Sequence, residues 1–158
     1  MKTMENFGYL GFKAGENRYT YPRPTEDKVS QFFARLRELA DYIVLDCVSE
    51  PGNLFSEIAQ IEADRQVRII APDLKCMVYH LSERNQNPDA RMMTVLNEKE
   101  RDIILPSGEV SANFGKVDFS LPYSYALKKQ VYTGTLSERL SDLKYRKSMK
   151  TVARAVIS

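Results

Sequence analysis

The sequence predicts an α/β fold with an open, mostly parallel sheet and helices on both faces. Four short candidate strands, at 42–45, 67–70, 92–96 and 117–121, alternate with segments whose apolar residues recur at helical spacing. This alternation is typical of parallel sheets, and 158 residues are enough for one domain with a sizeable core. We therefore expect a single α/β domain over 1–158, with a core at 25–135 and a basic amphipathic helix at 136–158.

The composition is that of an ordinary globular protein. Hydrophobic residues make up 43% and charged residues 28% of the chain, and a net charge of +2 gives no specific signal for nucleic acid. No Cys/His cluster has metal-ligand spacing, and no signal peptide or membrane span is visible. The sequence therefore predicts a cytoplasmic protein in which Cys47 and Cys76 are reduced, unpaired and buried.

The N-terminal third predicts a hairpin followed by a helix. Residues 6–12 are a candidate strand, and 18–21 are a candidate partner strand. Thr25 is the expected N-cap of the first helix, because acidic residues follow it and favour the positive end of the helix dipole. The apolar stripe of this helix consists of Val29, Phe32, Phe33, Leu36 and Leu39.

The segment 42–45 predicts a central strand buried on both faces. It is apolar and rich in β-branched residues, it lies between Asp41 and Asp46, and Pro51-Gly52 follows it. A carboxylate at the C-terminal end of a parallel strand points into the crevice where open α/β sheets bind ligands. Asp46 is therefore the first candidate for a catalytic residue, and the alternative is an aspartate that only caps the next turn.

The middle of the chain continues the strand–helix order. A helix is expected at 54–63, a strand at 67–70 and a second helix at 74–83 with Asp73 as its N-cap. The third strand, 92–96, is followed at once by Asn97. Residues 98–115 predict a short strand or turn of helix and then a loop.

This order of segments resembles the ParA/MinD-type P-loop ATPases over residues 41–135. The matching motifs are Asp41-Tyr42-Ile43-Val44-Leu45-Asp46, which resembles the Walker B segment, then Ala63-Asp64, and then Ala71-Pro72-Asp73 before a helix. The resemblance implies a nucleotide-switch ATPase that positions proteins, plasmids or pilus machinery and dimerises on ATP. ATP and Mg²⁺ are the cofactors of that family.

The resemblance also implies roles for individual residues. Asp46 would hold Mg²⁺ through water, Pro51 and Gly52 would belong to the switch loop, and Asn97 would hydrogen-bond the adenine. A side-chain amide suits that task because it offers both a donor and an acceptor. Pro122 and Tyr123 would lie along the base. The alternatives are a turn-forming asparagine and a buried tyrosine with a satisfied hydroxyl.

One family part is missing from the sequence. No Gly-x-x-x-x-Gly-Lys-Ser/Thr loop occurs, and phosphoryl transfer needs such a phosphate cradle with its lysine and hydroxyl. We therefore expect that this chain alone binds no ATP or Mg²⁺ and is inactive, which leaves its status as an enzyme open. The chain would then be the C-terminal part of the fold, with the missing N-terminal part as a partner, or a degenerate member.

If the strand that carries the phosphate loop is absent, the backbone of the strand at 42–46 has no hydrogen-bonding neighbour on one side. Long apolar edges recruit other chains. We therefore expect either that residues 6–12 cover this edge or that the chain self-associates through it.

The C-terminal segment predicts a basic amphipathic helix. Thr135 and Glu138 have the spacing of a capping box, and after Asp142 the charged residues are all basic. A helix of this kind over 144–157 suits an acidic protein or an anionic membrane surface, which would make the chain peripheral to the membrane. The alternative function is therefore a non-enzymatic α/β interaction module that uses this helix. The alternative for the segment is a terminal helix that docks on the sheet and keeps its lysines solvated.

Overall fold

A computed structural model of the chain describes residues 2–4, 6–17, 19–48, 52–82, 91–98 and 105–158. The chain divides into two compact units, Met1–Glu62 and Ala63–Ser158. The first unit contains strands β1 (Lys2–Met4) and β2 (Phe7–Tyr9) and helices α1 (Glu26–Leu39) and α2 (Leu54–Glu62). The second contains β3 (Gln66–Ile70), α3 (Leu74–Ser82), β4 (Met92–Asn97), α4 (Ser107–Phe114), β5 (Phe119–Leu121), α5 (Tyr125–Thr133) and α6 (Leu143–Ile157). The single domain expected over 1–158 stays a prediction.

The core of the first unit is formed by its two helices. Val29 and Phe33 of α1 are buried against Ile58 and Ala59 of α2, as the helical spacing of both segments predicts. Thr25 is the N-cap residue of α1, although its side chain makes no capping hydrogen bond. The predicted apolar stripe of α1 is therefore confirmed at Val29 and Phe33 but not at its C-terminal end, where Leu39 is 68% exposed.

Two predicted strands of the first unit are wrong. Within the expected partner strand at 18–21, residues 19–21 form a turn and a bend, and β2 pairs with β1 in an antiparallel hairpin. Residues 42–45 have no regular secondary structure, and their side chains are exposed, Val44 to 94%. Strand propensity becomes a strand only where neighbouring chains supply hydrogen bonds and packing.

The second unit confirms the α/β fold class. Its sheet is parallel with the order β3-β4-β5, and Ile70 pairs in register with Leu96. Because successive side chains of a strand point to opposite faces, Leu96 and Val95 lie on different sides of this sheet. The face of Ile70 and Leu96 packs against residues of α3 and α4, which are Cys76, Met77, Val110 and Phe114.

The opposite face of the same sheet carries α6. Val95 and Leu121 pack against Val152 of this helix, together with the partly buried Tyr145 and Val156. The sheet is therefore covered by helices on both faces, as predicted.

Helix boundaries in the second unit differ from the predictions in two places. Helix α4 occupies 107–114, where a loop was expected, because Val110 and Phe114 lie four residues apart and together cover Ile70. Residues 99–104, for which a strand or helical turn was predicted, lie outside the described residues.

The C-terminal helix begins at Leu143 rather than at 136. Thr135 and Glu138 do not form a capping box; the amide of Glu138 donates to the carbonyl oxygen of Thr135 at 3.0 Å, which closes a turn. The N-cap is Asp142, whose Oδ1 accepts a hydrogen bond from the Tyr145 amide at 3.0 Å. A capping box is recognised from only two residues, and a turn can supply a hydrogen-bond acceptor to the same backbone amide without starting a helix.

The cysteines are unpaired, as predicted. The predicted burial is wrong for Cys47, which is exposed, whereas Cys76 is half-buried. The exposure of Cys47 has the same cause as that of 42–45, since both belong to the segment that forms no strand.

Candidate functional site

The carboxyl edge of the parallel sheet brings three of the predicted site residues together. Asn97 is the last residue of β4 and pairs in register with Leu121, and Pro122 and Tyr123 follow directly. Asn97 is exposed, Pro122 is buried and Tyr123 is half-buried. The predicted base-binding residues therefore lie on adjacent strand ends, where parallel sheets hold ligands.

Charged neighbours at this edge were not predicted. The Nζ atom of Lys128 lies 5.9 Å from the ring centroid of Tyr123, within range of a cation–π contact. The Oε1 atom of Glu98 accepts a hydrogen bond from the Ser120 hydroxyl at 3.0 Å, and the Glu98 amide donates to the Leu121 carbonyl at 2.8 Å. Glu98 therefore links the ends of β4 and β5 through these two hydrogen bonds.

Asp73 lies shortly after β3, the third strand whose end forms this edge. Its Oδ1 atom accepts a hydrogen bond from the Cys76 amide at 2.8 Å, which is the N-cap contact predicted for α3. The edge therefore brings an amide, an aromatic ring and an ammonium group together. These groups can hydrogen-bond and stack, but they include no nucleophile with an adjacent base.

Asp46 and Gly52 belong to the first unit. Asp46 is exposed in the segment without regular structure, so the prediction that it ends a central strand is wrong. Gly52 has a φ of +82°, and its amide donates to Glu57 Oε1 at 3.0 Å. Gly52 is thereby tied to the first turn of α2, and glycine suits the left-handed conformation there. Pro51 lies outside the described residues.

The Mg²⁺ role that the resemblance implies for Asp46 stays a prediction. No group of three or more His, Cys, Asp or Glu side chains in the described part of the chain could hold a metal ion. Mg²⁺ sites of this kind rely on one or two carboxylates together with the phosphates of a bound nucleotide. Asp46 has no companion ligands in such a group, and the sequence provides no phosphate loop.

Asp118 organises the amino edge of the sheet and was missed by sequence reasoning. Its Oδ2 atom accepts from the Thr94 amide at 2.9 Å, and its Oδ1 atom pairs with Lys116 Nζ at 2.8 Å. The Lys116 ammonium, followed by the Thr94 N–H, lowers the pKa of this carboxyl below its usual range. The available signal was a charged residue inside the predicted strand 117–121.

The exposed side of α6 forms a second candidate surface. Lys147, Lys150 and Arg154 follow one another at spacings of three and four, and we call them the cationic face. Each lies on the side of the helix turned away from Val152, which is 8% exposed in the core. Among the described residues, no ion pair involves any of the three.

The position of α6 is set at its N-terminus. The Asp142 carboxylate caps the helix through the Tyr145 amide and accepts a second hydrogen bond from the side chain of Ser124, the N-cap of α5. These bonds lower the pKa of Asp142, the Tyr145 amide contributing most. The starts of α5 and α6 are thus linked, which holds α6 on the sheet with its cationic face outward.

Models of known protein families do not match this chain, and neither do curated proteins. Within the described ranges, no helix combines the length and apolar content required to cross a membrane. The two surfaces of the described structure that bear on function are the carboxyl edge of the sheet and the cationic face of α6.

Proposed function

We propose that this protein is a non-enzymatic α/β interaction module that binds an acidic protein surface through the cationic face of α6. One observation carries the proposal. The helix buries Val152 on the sheet while Lys147, Lys150 and Arg154 stay exposed without ion pairs in the described residues. A helix needed only to cover the sheet would not require this charge pattern.

The clustering of positive charge destabilises α6. Lys150 lies three residues after Lys147 and four residues from both Arg146 and Arg154. Like charges at these spacings destabilise a helix by about 0.2–0.5 kcal/mol per pair. No acidic residue follows Asp142 to offset this repulsion. Carboxylates of a bound partner would remove it, so binding and the stability of α6 are coupled.

The geometry favours a protein partner over a membrane. A helix that binds the bilayer interface buries its apolar face among the lipids, but that face of α6 is already packed on β4 and β5. The cations of the face are spaced by about 4.5 and 6 Å along the helix axis, within reach of carboxylates on one acidic segment. Leu143 and Ile157, exposed to 65% and 55%, lie at the two ends and can pack against apolar partner residues.

The first test is charge reversal with a matched control. The test variant carries Lys147→Glu, Lys150→Glu and Arg154→Glu. The control carries Lys28→Glu, Lys75→Glu and Lys129→Glu, which lie exposed on three different helices and change the net charge equally. Binding is measured by fluorescence anisotropy with labelled poly-glutamate at low salt, where screening is weak.

We expect the test variant to bind at least about tenfold more weakly than the wild type, a loss of only about 1.4 kcal/mol. The control should stay within about twofold, because its charges do not form one face. Equal losses in both variants would show a net-charge effect and contradict the proposal. Binding to phosphatidylserine vesicles or duplex DNA, without binding to poly-glutamate, would also contradict it.

A second candidate function is nucleotide binding at the carboxyl edge of the sheet. It is supported by the adjacency of Asn97, Pro122 and Tyr123 on neighbouring strand ends. The missing phosphate loop argues against tight binding, since the phosphates supply most recognition in this class. We expect no measurable heat in calorimetry with Mg-ATP. A micromolar affinity that is lost in Asn97→Ala would favour this candidate and the ATPase resemblance.

A further inference from the structure

Residues 41–47 combine strand-forming sequence with an unpaired backbone. None of the described residues makes a hydrogen bond to a backbone N–H or C=O of this segment. The side chains of Tyr42 and Val44 are 67% and 94% exposed, so the segment presents β-branched and aromatic groups to solvent. Extended apolar segments with free backbone groups are templates for pairing with another strand.

Strand β3 offers a free edge of matching character. It lies at one end of the order β3-β4-β5, so among the described strands only β4 pairs with it. Val67 and Ile69 alternate along it and are 41% and 65% exposed, while Ile70 is buried on the opposite face. This edge contains no proline that would block a further strand.

We propose that two copies of this chain exchange residues 41–47, so that the segment of each copy adds an antiparallel strand to β3 of the other. In this register Val44 lies opposite Val67, Tyr42 opposite Ile69, and Asp46 opposite Arg65. The most exposed apolar side chains of both segments then share one face of the enlarged sheet. The acid–base pair at the end favours this register.

A second copy is the occupant that the charges and the hydrogen bonds favour. Antiparallel pairing of two 41–47 segments with each other would place Asp41 opposite Cys47 and Asp46 opposite Tyr42, so neither carboxylate would gain a partner of opposite charge. Pairing with β3 instead places Asp46 opposite Arg65, which has no ion pair among the described residues. Reciprocal exchange also satisfies both free edges at once and closes the assembly as a two-fold dimer.

The test uses all 158 residues of the chain and substitutes one position. Val44→Pro removes a backbone donor and blocks the ladder, whereas Val44→Thr keeps a β-branched side chain. Because Val44 is 94% exposed and its backbone makes no hydrogen bond in the described structure, neither variant should disturb the fold of the single chain. Far-UV circular dichroism checks this, and light scattering after size exclusion measures mass over a concentration series.

We expect the wild type and Val44→Thr to dimerise with dissociation constants below about 100 μM, and Val44→Pro to be at least about 100-fold weaker. A wild-type chain that stays monomeric at about 500 μM would overturn the proposal. A dimer that Val44→Pro leaves intact would also overturn it, because the contact would then lie elsewhere.

Exchanging the charges of Asp46 and Arg65 tests whether the segment pairs with β3 in the proposed register. Asp46→Arg and Arg65→Asp should each weaken the dimer, and the double variant should recover most of the loss because it restores an opposite-charge pair. If the two losses simply add in the double variant, Asp46 does not face Arg65 and the register is wrong. This readout is independent of the cationic face, whose charge-reversal variant should still dimerise.

Discussion

The dipeptide Val-Leu occurs in two apolar segments of this chain with opposite outcomes. In β4 it is Val95-Leu96, and Val95 is 1% exposed between β3, β5 and α6. In the segment 42–45 it is Val44-Leu45, and Val44 is 94% exposed with no ladder. The two segments have similar local preferences, so the difference shows that partners on both sides, rather than propensity, turn an apolar segment into a strand.

Hydrogen exchange gives the largest expected contrast between these segments. In dilute solution the amides of 93–97 should be protected by at least about 1,000-fold, because they open only with the sheet. The amides of 42–46 should exchange at nearly free rates, since no hydrogen bond holds them in the described structure. Mass spectrometry of peptic fragments measures both.

Hydrogen exchange at several protein concentrations tests the same two segments further. If two chains exchange residues 41–47, protection of 42–46 should rise with protein concentration, while that of 93–97 should not change. Strong protection of 42–46 in dilute solution would contradict the unpaired state described for this segment.

Truncation of the two valines tests the energetics. Val95→Ala should lower the free energy of unfolding by about 2 kcal/mol, because it opens a cavity between the sheet and α6. Val44→Ala should change it by less than about 0.5 kcal/mol, as for other exposed positions. Urea denaturation in dilute solution measures both variants. Similar losses would mean that 42–45 is packed in solution.

The aspartates beside the two segments extend the comparison to pH. Asp118 accepts a hydrogen bond from the Thr94 amide of β4 and has a lowered pKa, whereas Asp46 lies exposed. A carboxyl with a lowered folded-state pKa contributes stability above its unfolded pKa of about 3.9 and loses it as the pH falls through the folded value. Wild-type stability should therefore fall more steeply than that of Asp118→Asn in this acid range.

At neutral pH, Asp118→Asn should cost about 1 kcal/mol, the size of a hydrogen bond to a charged group after partial compensation by the amide. Asp46→Asn is the matched control and should leave the dilute-solution stability unchanged. Denaturation midpoints from pH 7 to pH 3 provide the measurement. An equal pH dependence in Asp118→Asn and the wild type would show that this carboxylate does not stabilise the sheet.

Local signals in the sequence determined the helices of the first two thirds of the chain. Helices α1, α2 and α3 follow from apolar spacing and caps that act within one or two turns, and the Asp73 cap is formed as predicted. Helix α4 was missed because its face forms only when Val110 and Phe114 meet Ile70. In α5 the deciding contact is the buried Ser124 cap, which sequence spacing did not single out.

For the candidate surfaces too, the sequence identified some features and only the tertiary structure decided others. Their residue types, an amide after β4, a tyrosine after β5 and a basic C-terminal helix, were readable from the sequence. Only the tertiary structure decided that Asn97 and Tyr123 lie on adjacent strand ends, that Lys128 approaches the ring of Tyr123, and that the cations of α6 face away from the sheet. It also decided that 42–45 forms no strand. The physical reason is that helical hydrogen bonds close within one segment, whereas a strand, a strand-edge site and an outward face depend on residues distant in sequence.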